Sequence, residues 1–171
     1  MDDRAAQLEE YHRTQVAGCE RCPLHRTRTQ VVLGNGDPDA DLMFVGEAPG
    51  YHEDRIGVPF VGQAGKLLDR LLAGIGLSRE EVFVANVLKC RPPGNRDPLG
   101  VEIESCEPHL FRQVSLIRPR VICTLGNFAT KLLSGRSEGI SRVHGHELPM
   151  QVGELPVLLY PIYHPAAALY T

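Results

Sequence analysis

The chain has 171 residues, 43% of them hydrophobic and 23% charged, a balance that fits a soluble globular protein with one sizeable core. The 18 basic and 21 acidic residues leave a formal charge of −3. That excludes a strongly basic nucleic-acid binder but not a local positive patch, for which Lys89, Arg91 and Arg96 are close enough in sequence. No apolar run is long enough to span a bilayer, and no apolar stretch follows the polar start Met1-Asp2-Asp3-Arg4, so a cytoplasmic location without a secretory signal or membrane partner is expected.

Residues 5–17 carry Leu8, Tyr11 and Val16 as apolar points and predict a short helix ended by Gly18. Cys19-Glu20-Arg21-Cys22-Pro23 reads as a turn. Residues 30–33 predict a short edge strand, closed by the turn Gly34-Asn35-Gly36-Asp37-Pro38. Leu42-Met43-Phe44-Val45 is an apolar run of buried-strand length. Gly46-Glu47-Ala48-Pro49-Gly50 breaks it, and a loop is expected to about residue 61. Residues 65–77 place Leu67, Leu68, Leu71, Leu72 and Ile75 at helical spacing. A second strand follows over 82–87, after which Pro92-Pro93-Gly94-Asn95 exclude regular structure. Residues 101–117 predict a helix with Ile103, Cys106, Leu110, Val114 and Ile117 on one face and Pro119 as its stop. A third strand over 121–125, a helix to 133, a short strand over 148–152 and a fourth main strand over 157–160, ended by Pro161, complete the pattern.

Apolar, non-alternating strands joined by helices predict the α/β class, with a mostly parallel sheet covered on both faces and right-handed crossovers. No boundary or repeat divides the chain, so residues 1–171 are expected to form a single domain. In such folds ligands bind beyond the carboxyl ends of the strands. Three polar clusters fall there: 46–54, 86–96 and Tyr163-His164-Pro165.

Five cysteines occur, at 19, 22, 90, 106 and 123. Cys19 and Cys22 have the C-x2-C spacing at which a turn presents two thiolates to one metal. With Cys90 after a strand and Cys106 on a helix they make four thiolates, a set that suits zinc or a 4Fe–4S cluster. Such a site would brace the 89–96 loop. Cys123, inside an apolar strand, reads as core.

Among the polar clusters, Glu47 opens a loop where a carboxylate can steady a water or a developing cation, or cap backbone amides. Phe60 precedes Gly62-Gln63-Ala64-Gly65 and can stack on a flat ligand or fill the core. Asn86 interrupts an apolar strand, and its amide suits the edge of a pyrimidine or a strand-end backbone. His164 can donate to a ligand carbonyl or serve only the loop. His25, His109, His144 and His146 lack comparable context, and His144-Gly145-His146 reads as surface loop.

Together these motifs resemble the family 4 uracil-DNA glycosylases. The resemblance rests on Cys19-Glu20-Arg21-Cys22-Pro23-Leu24, then Gly46-Glu47-Ala48-Pro49-Gly50 with Glu53-Asp54, continuing into Gly57-Val58-Pro59-Phe60-Val61-Gly62-Gln63-Ala64-Gly65. Next come Asn86-Val87-Leu88-Lys89-Cys90-Arg91-Pro92-Pro93, Asn95-Arg96-Asp97-Pro98, Cys106 and finally Tyr163-His164-Pro165-Ala166-Ala167. It runs from about residue 15 to 169, with the motifs in the family's order. It implies a three-layer α/β/α sandwich around a four-stranded mostly parallel sheet, and a 4Fe–4S cluster on Cys19, Cys22, Cys90 and Cys106, with zinc the alternative. It also implies stacking of uracil on Phe60, base-edge reading by Asn86, and support of the leaving pyrimidine by His164. Glu47 would lie near the sugar and attacking water, the backbone of Gly46, Ala48 and Gly50 would add contacts, and Tyr51 would crowd C5.

The implied reaction is hydrolysis of the N-glycosidic bond of a flipped-out deoxyuridine in single- or double-stranded DNA, by a monomer. A covalent-trapping branch has Gln where this chain has Ala48, so turnover is expected. Family members continue past the second motif with a closing helix, and the domain ending at Thr171 is expected to lack it. Release of hypoxanthine or xanthine, or a non-catalytic iron–sulfur DNA-binding module, are the alternatives.

Overall fold

The computed structural model describes residues 3–169, so Met1 and Asp2 of the polar start, and Tyr170 and Thr171 of the ending, lie outside the described residues. Among those described, no helix is long and apolar enough to cross a membrane.

Helix α1 (Arg4–Tyr11) starts where Asp3 accepts the Ala6 N–H, and it runs into a π-helical turn at His12–Val16. Then follow β1 (Asn35–Gly36), β2 (Leu42–Gly46), α2 (Tyr51–Ile56), α3 (Gln63–Gly74) and β3 (Phe83–Asn86). The second half holds α4 (Gly100–Ile117), β4 (Val121–Leu125), α5 (Asn127–Ser134), α6 (Ile140–Val143), β5 (Leu148–Val152) and β6 (Leu155–Ile162), with a 3-10 turn at Pro165–Leu169.

The strands form one sheet in the order β1-β3-β2-β4-β6-β5. The inner four are mutually parallel, as expected, and β1 and β5 add antiparallel edges, making six strands rather than four. Successive side chains point to opposite faces. Met43, Val45, Phe83, Ala85 and Ile122 join the core made with α1, α4 and α5. Phe44, Val84, Cys123 and Leu125 join the second core, with Leu68 and Leu72 of α3. The three-layer sandwich is therefore real, and burial pushes the Cys123 thiol up to about 12, as suits a core residue.

The 92–95 stretch, expected to exclude regular structure, makes a 3-10 turn at Pro93–Asn95, and three further local expectations fail. Residues 30–33 make no strand; Val32 donates one hydrogen bond to the Lys89 carbonyl (2.7 Å), and the edge pairing moves to Asn35–Gly36. Only glycine fits there, because a Cβ on Gly36 would sit 1.9 Å from the Val82 carbonyl oxygen at φ +135°. The expected loop to residue 61 contains α2. Its six residues bury only Asp54, so no apolar stripe marks it; it is held by capping and by left-handed Gly57 (φ +85°). Finally, Pro161 lies inside β6 instead of ending it. Its carbonyl accepts from Gly145, and β5 stops opposite Leu159, so the missing N–H faces a side where no ladder bond is due.

Candidate active site and cysteine cavity

The carboxyl edge of the parallel strands positions the site. β2 ends at Gly46 and β3 at Asn86, directly paired. A Cβ on Gly46 would lie 2.6 Å from both Asn86 Oδ1 and Phe60 Cζ, so the missing side chain is what lets amide and ring approach one point. Asn86 is 3% exposed, and its Oδ1 has no hydrogen-bond partner among the described residues. An unmet buried acceptor costs about 1–3 kcal/mol.

Phe60 adopts φ +54°, a left-handed value rare for an aromatic residue. Strain of that kind is of order 1–3 kcal/mol and needs external support. Arg79 gives it, donating to the Pro59 carbonyl (3.2 Å) and to the Phe60 carbonyl while paired with Asp69. Gly65 allows the same approach, since a Cβ there would sit 1.9 Å from the Phe60 oxygen.

The His164 ring stacks on Phe60 at 5.5 Å between centroids and 28° between planes. Its Nδ1 accepts the Ala166 N–H (3.1 Å), so a neutral ring carries its proton on Nε2. Burial lowers its pKa and favours that neutral form. Asn86, Phe60 and His164, with Ala48, Gly50 and Tyr51, line one cleft of about 520 Å³.

Two expected members stand apart. Gly46 is not part of the cleft lining, and Glu47 lines an adjoining cleft of about 390 Å³ that shares Ala48, Gly50 and His164. Burial, then the nearby Asp97 charge, raises the Glu47 pKa. Tyr51 is at the rim, 48% exposed, with the Arg55 and Arg91 guanidiniums 5.3 and 5.4 Å from its ring centre. Of the basic trio, Lys89 is buried, Arg96 forms a two-pronged pair with buried Glu102 (2.9 and 2.8 Å), and Arg91 reaches Asn95 (2.6 Å).

Glu53 was no more than motif context in the sequence, yet it organises the cleft. Its carboxylate accepts from Gly50 N (3.0 Å), Val61 N (2.9 Å) and Gly62 N (2.9 Å), joining the loops before α2 and α3. The available signal was its place three residues after the helix-opening Gly50, the N3 position, from which a carboxylate reaches back to the N-cap amide.

Cys19, Cys22, Cys90 and Cys106 line a second, separate cavity. Every polar contact to their sulfurs comes from a group able to donate. Arg28 donates to Cys90 Sγ (3.4 Å), the Lys89 amide to Cys106 Sγ (3.3 Å), and His109 Nε2 lies 3.4 Å from Cys19 Sγ. Tyr11 OH contacts His109 Nδ1 (2.7 Å), which fits a ring protonated on the nitrogen facing sulfur. His109 thus has a context its sequence did not reveal, whereas His144 and His146 are exposed, as expected of a surface loop. Burial raises the thiol pKa of Cys90, and that of Cys106 to about 11. The described residues do not converge on a single-ion site. Four cysteines around one cavity are a donor set that suits zinc or a multi-metal cluster.

Fold and site thus define a class: an α/β/α protein whose sheet opens at its carboxyl edge onto a cleft lined by Phe60, Asn86 and His164. Comparison with known proteins is more specific. The sequence model of the uracil DNA glycosylase superfamily matches residues 33–171. A type-4 uracil-DNA glycosylase of Archaeoglobus fulgidus is 49% identical over 160 residues, covering 91% of this chain and 80% of the relative. Type-4 enzymes of Sulfurisphaera tokodaii (47% identical; 91% of this chain and 73% of the relative) and Thermotoga maritima (42%; 95% and 84%) are also similar. The chain belongs to the uracil-DNA glycosylase superfamily, in its type-4 branch.

Proposed function

We propose that this protein is a monofunctional uracil-DNA glycosylase, which takes a deoxyuridine flipped out of DNA, hydrolyses its N-glycosidic bond and leaves uracil and an abasic site. The observation that carries the reading is the buried, unpartnered Asn86 Oδ1 facing a cleft that Phe60 and His164 also line. Uracil presents an N3–H donor beside an O4 acceptor. The Asn86 amide satisfies both, Oδ1 accepting and Nδ2 donating; cytosine reverses the pattern. Phe60 stacks on the ring, the backbone at Ala48 and Gly50 borders it, and Tyr51 stands at the rim, where a C5 methyl would press.

Bond cleavage puts positive charge on the sugar and negative charge on uracil O2. The Nε2–H of neutral His164 is a donor that strengthens its bond as O2 gains charge. Glu47, in the adjoining cleft, favours the sugar cation and orients the water. Catalysis is then by fixed charges and dipoles more than by proton abstraction.

Cys19, Cys22, Cys90 and Cys106 would hold a 4Fe–4S cluster, with zinc the alternative. The cluster would act as a brace, tying the turn after α1 to the loop that follows Asn86. Arg55 and Arg91 at the rim suit DNA phosphates. The reading has a monomer acting in the cytoplasm on uracil in single- or double-stranded DNA.

Incubation with uracil-containing oligonucleotides, followed by cleavage at abasic sites, is the test. Uracil release is expected, with no product from matched cytosine or thymine strands. Bound DNA without abasic product, in protein with its metal intact, would refute the activity. Iron and sulfide analysis with a visible absorption spectrum decides between cluster and zinc.

A further inference from the structure

Lys89 is 1% exposed and the largest of the fully buried side chains. Its Nζ donates to the Asn86 carbonyl (2.9 Å) and to Gln113 Oε1 (2.5 Å), both neutral. Among the described residues it has no carboxylate partner. The ionisable groups around it are His12, His109, Cys106 and the adjoining Cys90. A buried ammonium without an anion is costly to keep, so Lys89 calls for a counter-charge. Lys89 precedes Cys90, its own amide donates to Cys106 Sγ (3.3 Å), and it lines the cysteine cavity. An iron–sulfur cluster held by four thiolates carries roughly two net negative charges in its oxidised state. Three cations line the cavity, Arg21, Arg28 and Lys89, and the Arg28 guanidinium donates to Cys90 Sγ (3.4 Å).

We infer that Lys89 is a positioning residue shared by both sites: its ammonium is the buried counter-charge of the cluster, and through the Asn86 carbonyl it fixes the strand end that presents the base-reading amide. The inference rests on the cluster and uracil assignments proposed above. It makes the cluster more than a distant brace, because one side chain links its electrostatics to the pocket wall across three residues of chain.

The test compares holoprotein of wild type, Lys89→Met, Lys89→Arg and Lys131→Met, the last an exposed lysine on α5 serving as control. The first readout is the midpoint potential of the cluster. Reduction adds negative charge, so loss of a nearby cation must shift the potential of Lys89→Met to more negative values. The second is KM against kcat on a uracil oligonucleotide. A displaced Asn86 is expected to raise KM at least fivefold, with the smaller change in kcat. Lys89→Arg keeps the charge and should hold its potential near wild type; Lys131→Met should alter neither readout. A Lys89→Met protein with wild-type potential and wild-type KM overturns the inference. If Lys89→Met yields no folded holoprotein, Lys89→Arg decides. Recovery of iron-loaded protein by the charged variant alone supports the role, and equal failure of both overturns it. The potential is read without substrate, so failure of uracil excision in the wild type would sink the activity while leaving the electrostatic result standing.

Discussion

Asn86 and His164 are the two side chains whose chemistry can be separated by substitution. Asn86→Asp exchanges the donor for a second acceptor facing O4, so kcat/KM for uracil is expected to fall about 100-fold, with selectivity over cytosine narrowed. Single-turnover rates on paired uracil and cytosine oligonucleotides measure it; an unchanged ratio would mean that shape alone selects the base. For His164 the prediction concerns pH. Burial holds its pKa below the ordinary value of 6.5, so the neutral Nε2–H donor persists as pH falls through that value, and protonation begins only at lower pH. The wild-type rate should therefore show no step near 6.5, and the step that does appear should be absent from His164→Ala. A step at the ordinary histidine pKa that His164→Ala abolishes would contradict the buried, neutral assignment.

Elements differ in how plainly the sequence declares them, and the cleft depends on the least plain. α3 and the four parallel strands were readable because each repeats an apolar signal over several residues, as in Leu67-Leu68 with Leu71-Leu72 or Leu42-Met43-Phe44-Val45. α2 has no such repeat, and what stabilises it is Glu53 gathering three backbone N–H groups. Glu53→Gln leaves one oxygen for two or three donors and sets an NH₂ against another. A loss of about 1–3 kcal/mol is expected, with a raised KM as the Phe60 loop loosens. Chemical denaturation and steady-state kinetics check both; a variant with wild-type stability and KM would show the carboxylate to be dispensable. The cleft residues Phe60, Asn86 and His164 could be proposed from their motifs. Arg79, His109 and Lys89 could not, since their roles depend on partners that only folding brings near: the strained Phe60 carbonyl, the Cys19 sulfur and the Gln113 amide.

The whole molecule is acidic, with a formal charge of −3, so the attraction of DNA must be local. Arg91, resting on Tyr51 at the cleft mouth, is the natural contact. Arg91→Ala is expected to weaken binding of matched and uracil-containing strands alike and to lower the slope of log Kd against log salt by about 1. Salt titrations that leave the slope unchanged would place the phosphate elsewhere. The borders of the sheet bear on a different property, behaviour in concentrated or heated solution. β1 spans only Asn35–Gly36, and β5 carries Pro149, which has no N–H to offer. A neighbouring copy approaching either margin finds too few free amides to add a rung, so strand-by-strand growth into fibrils has nowhere to begin while the fold is intact.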